Sequence, residues 1–218
     1  MSPPWSHEPV GEEVNVAFVV KNNLLYVSSL TIDGRPGRFL IGLSQPRTVI
    51  DNRFAQGHKP STLQLNQRQS LHMTPLFTDL HGVADAIIGA DVWGDHAVTI
   101  DYRAGLLTFQ REGIHPDLMR LFHYGDEPMV NVVVDGRTIP AVVDTTSPDT
   151  LVLPRLGATG ARREAHVEVA GTDFGVVDVG LADVSAARLG NRLLSRFLVT
   201  IDYGKHEVGL WRDPRMPL

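Results

Sequence analysis

Cysteine is absent from the 218-residue chain. That removes disulfides, thiol nucleophiles and thiolate metal sites together, while leaving the compartment open. Positive charge is scarce as well: 20 Lys and Arg stand against 25 Asp and Glu, a net charge of −5. There is no basic field to attract nucleic acid or anionic lipid. No run reaches the roughly 18 apolar residues of a helical membrane span. The opening MSPPWSHEPVGEEV lacks the basic segment and apolar stretch of a signal peptide. The chain therefore reads as soluble, with its localisation otherwise undetermined.

Several catalytic signatures are missing too. No G-x-S-x-G, P-loop or G-x-G-x-x-G occurs, so serine hydrolase, NTPase and dinucleotide-binding readings have no support. Nine histidines are present but scattered (His58, His72, His81, His96, His115 and His123 among them), without an H-E-x-x-H or a short paired spacing. No metal and no cofactor is expected.

What the chain does have is 43% hydrophobic residues, enough to pack one large domain or two of about 100 residues, and an internal repeat. AVTIDYRAGLLTF (97–109) reads like LVTIDYGKHEVGLW (198–211), with Asp101-Tyr102 and Asp202-Tyr203 at an offset of 101. LTIDGRPGRFLIG (30–42) reads like VVVDGRTIPAVVD (132–144), with Asp33-Gly34 and Asp135-Gly136 at an offset of 102. Gly89 answers Gly190 between these anchors. A constant offset at three anchors means a tandem duplication.

Each unit reads mainly as strands. β-branched runs flank Asp-Gly, the strongest short-range hairpin signal. HVEVAGTDFGVVDV predicts a second hairpin turning at Ala170-Gly171, and VTIDYGKHEVGLW a third turning at Gly204-Lys205. Only GADVWGDH and GNRLLSRF look helical, about two turns each, and the stretch 114–128 offers one further helical turn. The expected organisation is an extension at 1–13, a first lobe at 14–112, a linker at 113–125, a second lobe at 126–213 and a tail at 214–218.

The second unit carries a distinctive order of pieces: a hairpin, an apolar strand ending in Asp144-Thr145-Thr146-Ser147, a second hairpin, and Arg188-Leu189-Gly190 before a short helix. In this the chain resembles the retropepsin-like and pepsin-like aspartic proteases, whose signature is Asp-Thr-Gly-Ser/Ala followed later by two apolar residues and glycine. Ile87-Ile88-Gly89-Ala90-Asp91 before VTIDY looks like the lobe ending of bacterial members. The resemblance covers roughly 190 of the 218 residues. It implies an all-β fold of two retropepsin-like (pepsin-type) lobes related by internal duplication, with few and short helices.

The chemistry so implied needs two carboxylates about 3 Å apart sharing one proton: one deprotonates the attacking water while the other supports the peptide carbonyl. Asp144 is the candidate catalytic carboxylate, with Thr145, Thr146 and Ser147 as its loop. Pro46 answers Pro148, so Gly42, Leu43, Ser44 and Gln45 form the degenerate counterpart loop. There the carboxylate is replaced by Gly42, and Leu43 replaces the threonine whose hydroxyl braces the family's dyad. Asp51, nine residues past Gly42, is a poor substitute. Thr146 stands where the family has glycine. Peptide-bond hydrolysis through Asp144 thus requires a second carboxylate from a homodimer or a partner chain. The alternative is an inactive pseudoprotease that binds peptide or protein, with Asp144 hydrogen-bonded in a polar turn. Asp149 reads as a turn or cap residue, and Asp101 and Asp202 as repeated turn residues. STLQLNQRQSLHM (61–73) and EAHVEVAGTDFGVV (164–177) take the position of the family's flaps, which close over an extended peptide.

Overall fold

The computed structural model describes residues 13–94, 96–110 and 119–215. They form an almost entirely β structure. In the second lobe, six strands close a barrel in the order Met129–Val134, Arg137–Val143, Ala187–Leu189, Leu151–Pro154, Thr172–Ala182 and Arg162–Val169. Alternate residues of Met129–Val134 (Val130, Val132 and Val134) point into the core, as the strand period requires. The hairpin that begins the barrel turns at Asp135-Gly136, with φ of +49° and +78°. This is the two-residue turn whose twist matches that of the strands. Ala170-Gly171, at +51° and +80°, closes the long hairpin in the same way.

The first lobe repeats the plan in opened form. One sheet runs Leu76–Thr78, Val49–Asp51, Ala86–Ile88, Phe39–Ile41, Leu24–Val27 and Val19–Lys21. The second holds Arg35–Pro36, Thr31–Ile32, Thr62–Gln64 and Ser70–His72. Where the second lobe has the unbroken hairpin 129–143, the first has short pieces interrupted at Gly37-Arg38. Pro36, the counterpart of Thr138, carries no amide for a ladder.

A third sheet joins the halves: Val14–Ala17, Leu106–Gln110, Ala97–Asp101, Leu198–Asp202, Glu207–Trp211 and Arg120–His123. At its centre Ala97–Asp101 pairs antiparallel with Leu198–Asp202, and the hydroxyls of Thr99 and Thr200 meet at 2.8 Å. The two copies of the repeated VTIDY therefore lie side by side.

One expectation is met only in part by the described residues and another needs correction. The stretch 114–128 holds the strand Arg120–His123, paired with Glu207–Trp211, and no helical turn within its described residues; its residues 114–118 lie outside the described residues. At 120–123 pairing with an available sheet edge prevails over helix formation. The helices are also shorter than two turns: Ala90–Val92 is a 3₁₀ turn and Asn191–Leu194 a single α turn. Each follows the repeated glycine directly, and Ser195 ends the latter in a turn. Asn52–Ala55, not expected as a helix, is capped by Asp51.

Candidate functional site

The repeat brings the two loops face to face with matching backbones. The Gly42 N–H donates to Ile88 O and the Asp144 N–H to Leu189 O, each at 2.9 Å. Gln45 N–H closes a turn on Gly42 O as Ser147 N–H does on Asp144 O. The short helices then dock identically, Ala90 N–H on Gln45 O and Asn191 N–H on Ser147 O. Phe39–Ile41 lies parallel to Ala86–Ile88, and Arg137–Val143 parallel to Ala187–Leu189. Each strand thus ends at a loop threaded beside the glycine of its partner strand.

Asp144 sits at this crossing with its side chain 8% exposed. Its Oδ1 accepts from the Thr146 backbone N–H at 2.9 Å and from the Thr146 hydroxyl at 2.6 Å. Its Oδ2 accepts from Arg188 Nη1 at 3.0 Å. Both oxygens are therefore occupied, one by the loop itself and the other by a guanidinium. Arg188 belongs to Arg188-Leu189-Gly190, where the first repeat has Ile87-Ile88-Gly89. The sequence shows the arginine but does not reveal its target.

Gly42, opposite, is buried, and the space beside it is filled. A Cβ there would lie 2.8 Å from Ile87 Cγ2, 2.9 Å from Gln45 Cβ and 3.2 Å from Thr146 Cγ2. Thr146 thus does two things. Its hydroxyl holds Asp144, and its methyl occupies ground that a side chain at residue 42 would need. Ser44 and Gln45 are half-buried, and Leu43 is fully buried in the core.

The brace between loops survives in half. Thr145 Oγ1 donates to Ile41 O at 2.6 Å and accepts from the Leu43 N–H at 3.0 Å. The Leu43 side chain makes no such bond, but its backbone completes the one from the other side. Two residues that sequence reasoning missed reinforce the seam. Tyr203 OH donates to Leu43 O at 2.7 Å, and Tyr102 OH donates to Asn191 Oδ1 at 2.8 Å. Asn191 Nδ2 in turn donates to Thr145 O at 2.8 Å. Burial raises the ionisation of both phenols well above the usual tyrosine range, so each remains a neutral donor. The repeated Asp-Tyr pair was the available signal; its tyrosines, not its aspartates, reach the site. Asp101 and Asp202 cap turns by accepting from Ala104 and Lys205 N–H.

Asp51 points elsewhere. It accepts from Arg53 N–H and Leu80 N–H, each at 2.7 Å, and these bonds hold its carboxyl below the ordinary range. Asp149 does not cap with its side chain but pairs with Arg162 Nη1 at 2.9 Å. Among the described residues no group of three or more His, Cys, Asp or Glu is arranged to hold a metal, and no helix is long and apolar enough to cross a membrane. The flap-position segments fold as hairpins, Thr62–Gln64 with Ser70–His72 and Arg162–Val169 with Thr172–Ala182.

No family model and no curated protein matches the chain. Among solved structures it is similar to an aspartic proteinase from Irpex lacteus, with a TM-score of 0.62 over 93% of this chain and 98% of that one, at 8% sequence identity. The shared property is the fold, that of a pepsin-like aspartic proteinase.

Proposed function

We propose that the chain is a catalytically inactive aspartic-protease homologue that serves as a binding module for an extended peptide segment, its lobes dividing at the linker 113–125. One observation carries the reading: both oxygens of Asp144 are engaged, by Thr146 and by Arg188, and the facing position is the side-chain-less Gly42. The family's mechanism needs a proton shared between two carboxylates and a water held between them. Here the second carboxylate is replaced by glycine, and the water's place at Oδ2 is contested by a guanidinium.

A homodimer would be the other source of a second carboxylate. To supply it, a second copy of Asp144 must reach the first across the seam that Gly42 and Leu43 occupy. That means breaking the Thr145 bonds to Ile41 and Leu43 and the Tyr203 bond to Leu43. The geometry favours binding without cleavage.

The binding half of the proposal rests on the long hairpin of the second lobe. On one side of the arm His166 is tied through its N–H and O to Asp135, but among the described residues Thr172–Val179 pairs only with Arg162–Val169, so that strand keeps an unpaired outer edge. Val176, midway along that strand, is 65% exposed. An extended segment can add to such an edge by main-chain hydrogen bonds.

The test presents a mixed peptide library to wild type and Asp144→Asn over acidic to neutral pH and a range of protein concentrations. The expected result is no cleavage by either protein, and retention of the same peptides by both. Acid-dependent cleavage lost in the variant would overturn the proposal, and a rate rising faster than linearly with concentration would restore the dimer.

A further inference from the structure

The closed barrel of the second lobe has a mouth that the protease-like seam does not use. The ends of its strands gather there around a cavity of about 710 Å³. The volume falls in the range that holds drug-sized ligands, and barrel mouths are common places for them. Val134, Leu153, Leu181 and Ala187, each less than a tenth exposed, form its apolar floor.

Two features of the rim are unexplained by the fold. Leu156 is 93% exposed and has φ of +44°, a left-handed conformation that costs a leucine free energy. A large apolar side chain held in water on an unfavourable backbone gains nothing from folding alone. Arginines supply the other feature. Arg163 is paired with Asp135 at 2.8 Å, but the side chain of Arg137, whose backbone pairs with Val134, has no hydrogen-bond or ion-pair partner among the described residues. Arg155 donates from Nη2 to Leu181 O, while its buried Nε has no hydrogen-bond partner, Asp183 Oδ1 standing 3.9 Å away. An apolar floor, an apolar lip and the unpaired Arg137 guanidinium beside the cation of Arg155 describe an occupant with an apolar body and one anionic head.

We propose that the barrel mouth binds a small amphipathic carboxylate, its chain lying on Leu153 and Leu181 under the Leu156 lip and its head between Arg137 and Arg155. The site is on the second lobe alone and stands independently of what the Asp144 seam does.

The probe is octanoate, titrated into the full chain while backbone amide resonances are followed, with octan-1-ol as its uncharged match. Octanoate is expected to bind saturably, moving amides at 134–140, 153–158 and 181–187, with octan-1-ol about tenfold weaker. Arg137→Gln should weaken octanoate about tenfold and leave octan-1-ol unchanged. Leu156→Gly relieves the left-handed backbone, so it should keep or raise the melting temperature while weakening both probes. Loss of binding without loss of stability separates a ligand-facing leucine from a structural one. The proposal is overturned if no saturable shift occurs, if the shifts fall outside these segments, or if neither substitution alters binding. It is equally overturned if only peptides with the same apolar-anionic chemistry bind, since the occupant would then be a protein segment.

Discussion

At Gly42 the absent side chain and the Thr146 methyl fill one another's space, so putting a carboxylate back meets atoms before it meets Asp144. Gly42→Asp brings its Cβ to 2.8 Å from Ile87 and 2.9 Å from Gln45, and a second negative charge toward a buried one. It is expected to cost about 1–3 kcal/mol by overpacking and to yield no peptidase activity; chemical denaturation and a cleavage assay check the two halves. Arg188 is the counterpart test. With the Asp144 side chain 8% exposed and that of Arg188 38%, removing the arginine strands a buried charge, whereas removing the aspartate leaves a cation that can turn to water. Arg188→Leu should therefore cost about 2 kcal/mol, and adding Asp144→Asn should recover part of that loss. A double-mutant cycle measures the recovery, and additive losses would deny the pairing. Asp144 to Ser147 and Gly42 to Gln45 were legible because a fixed offset aligns them. Arg188 was visible as a charged residue where the other repeat has isoleucine, but a repeat says where a side chain starts and not where it ends.

Among the elements, the hairpins were legible and the helices only partly so. Asp-Gly and Ala-Gly turns dictate left-handed backbone at two successive residues, a local requirement that sequence states directly. Helix length is not local in this sense: one turn follows each of Gly89 and Gly190 because a central strand of the joining sheet begins shortly beyond. The opening of the first lobe was not legible either, since Pro36 and Gly37 weaken one strand while closure depends on the far side of the barrel. Asp51 illustrates an element whose ending can be tested. It caps Asn52–Ala55 and ties the end of Val49–Asp51 to Leu80. Because these hydrogen bonds lower its ionisation from 3.8 in the folded state, its stabilisation is present above that value and is lost as pH falls below it. Asp51→Asn should lower the denaturation midpoint at neutral pH, and the gap from wild type should close on acidification below about pH 4. A gap that stays constant would show that shape, not charge, matters at this cap.

The halves of the molecule are held together by the central sheet and by a reciprocal pair of phenols. Tyr203 reaches from the second lobe to Leu43 O in the first, and Tyr102 reaches from the first lobe to Asn191 in the second. The hydrogen bonds are equivalent in role but not in strength of constraint, because Leu43 O is backbone and cannot move away, whereas the Asn191 amide is itself held by Thr145 O. Each phenylalanine substitution removes one neutral hydrogen bond and keeps the ring, so each is expected to cost about 1 kcal/mol. The two should be non-additive in a double-mutant cycle, since Leu43, Thr145 and Asn191 link them in one hydrogen-bonded network. Alkali tests the burial of these phenols. The folded state raises both tyrosines above their ordinary value of 10.0, so it keeps their protons where the unfolded chain gives them up. The stability they contribute is complete below pH 10 and falls as pH rises beyond it. Tyr124, pushed up to about 12 by burial and by the charge of Asp202, adds to the same loss. Wild type should thus unfold more steeply above pH 10 than Tyr102→Phe/Tyr203→Phe, even though the double variant starts less stable. The stability curves converge with rising pH if both phenols stay buried in the folded state, and run parallel if they ionise there without unfolding the chain.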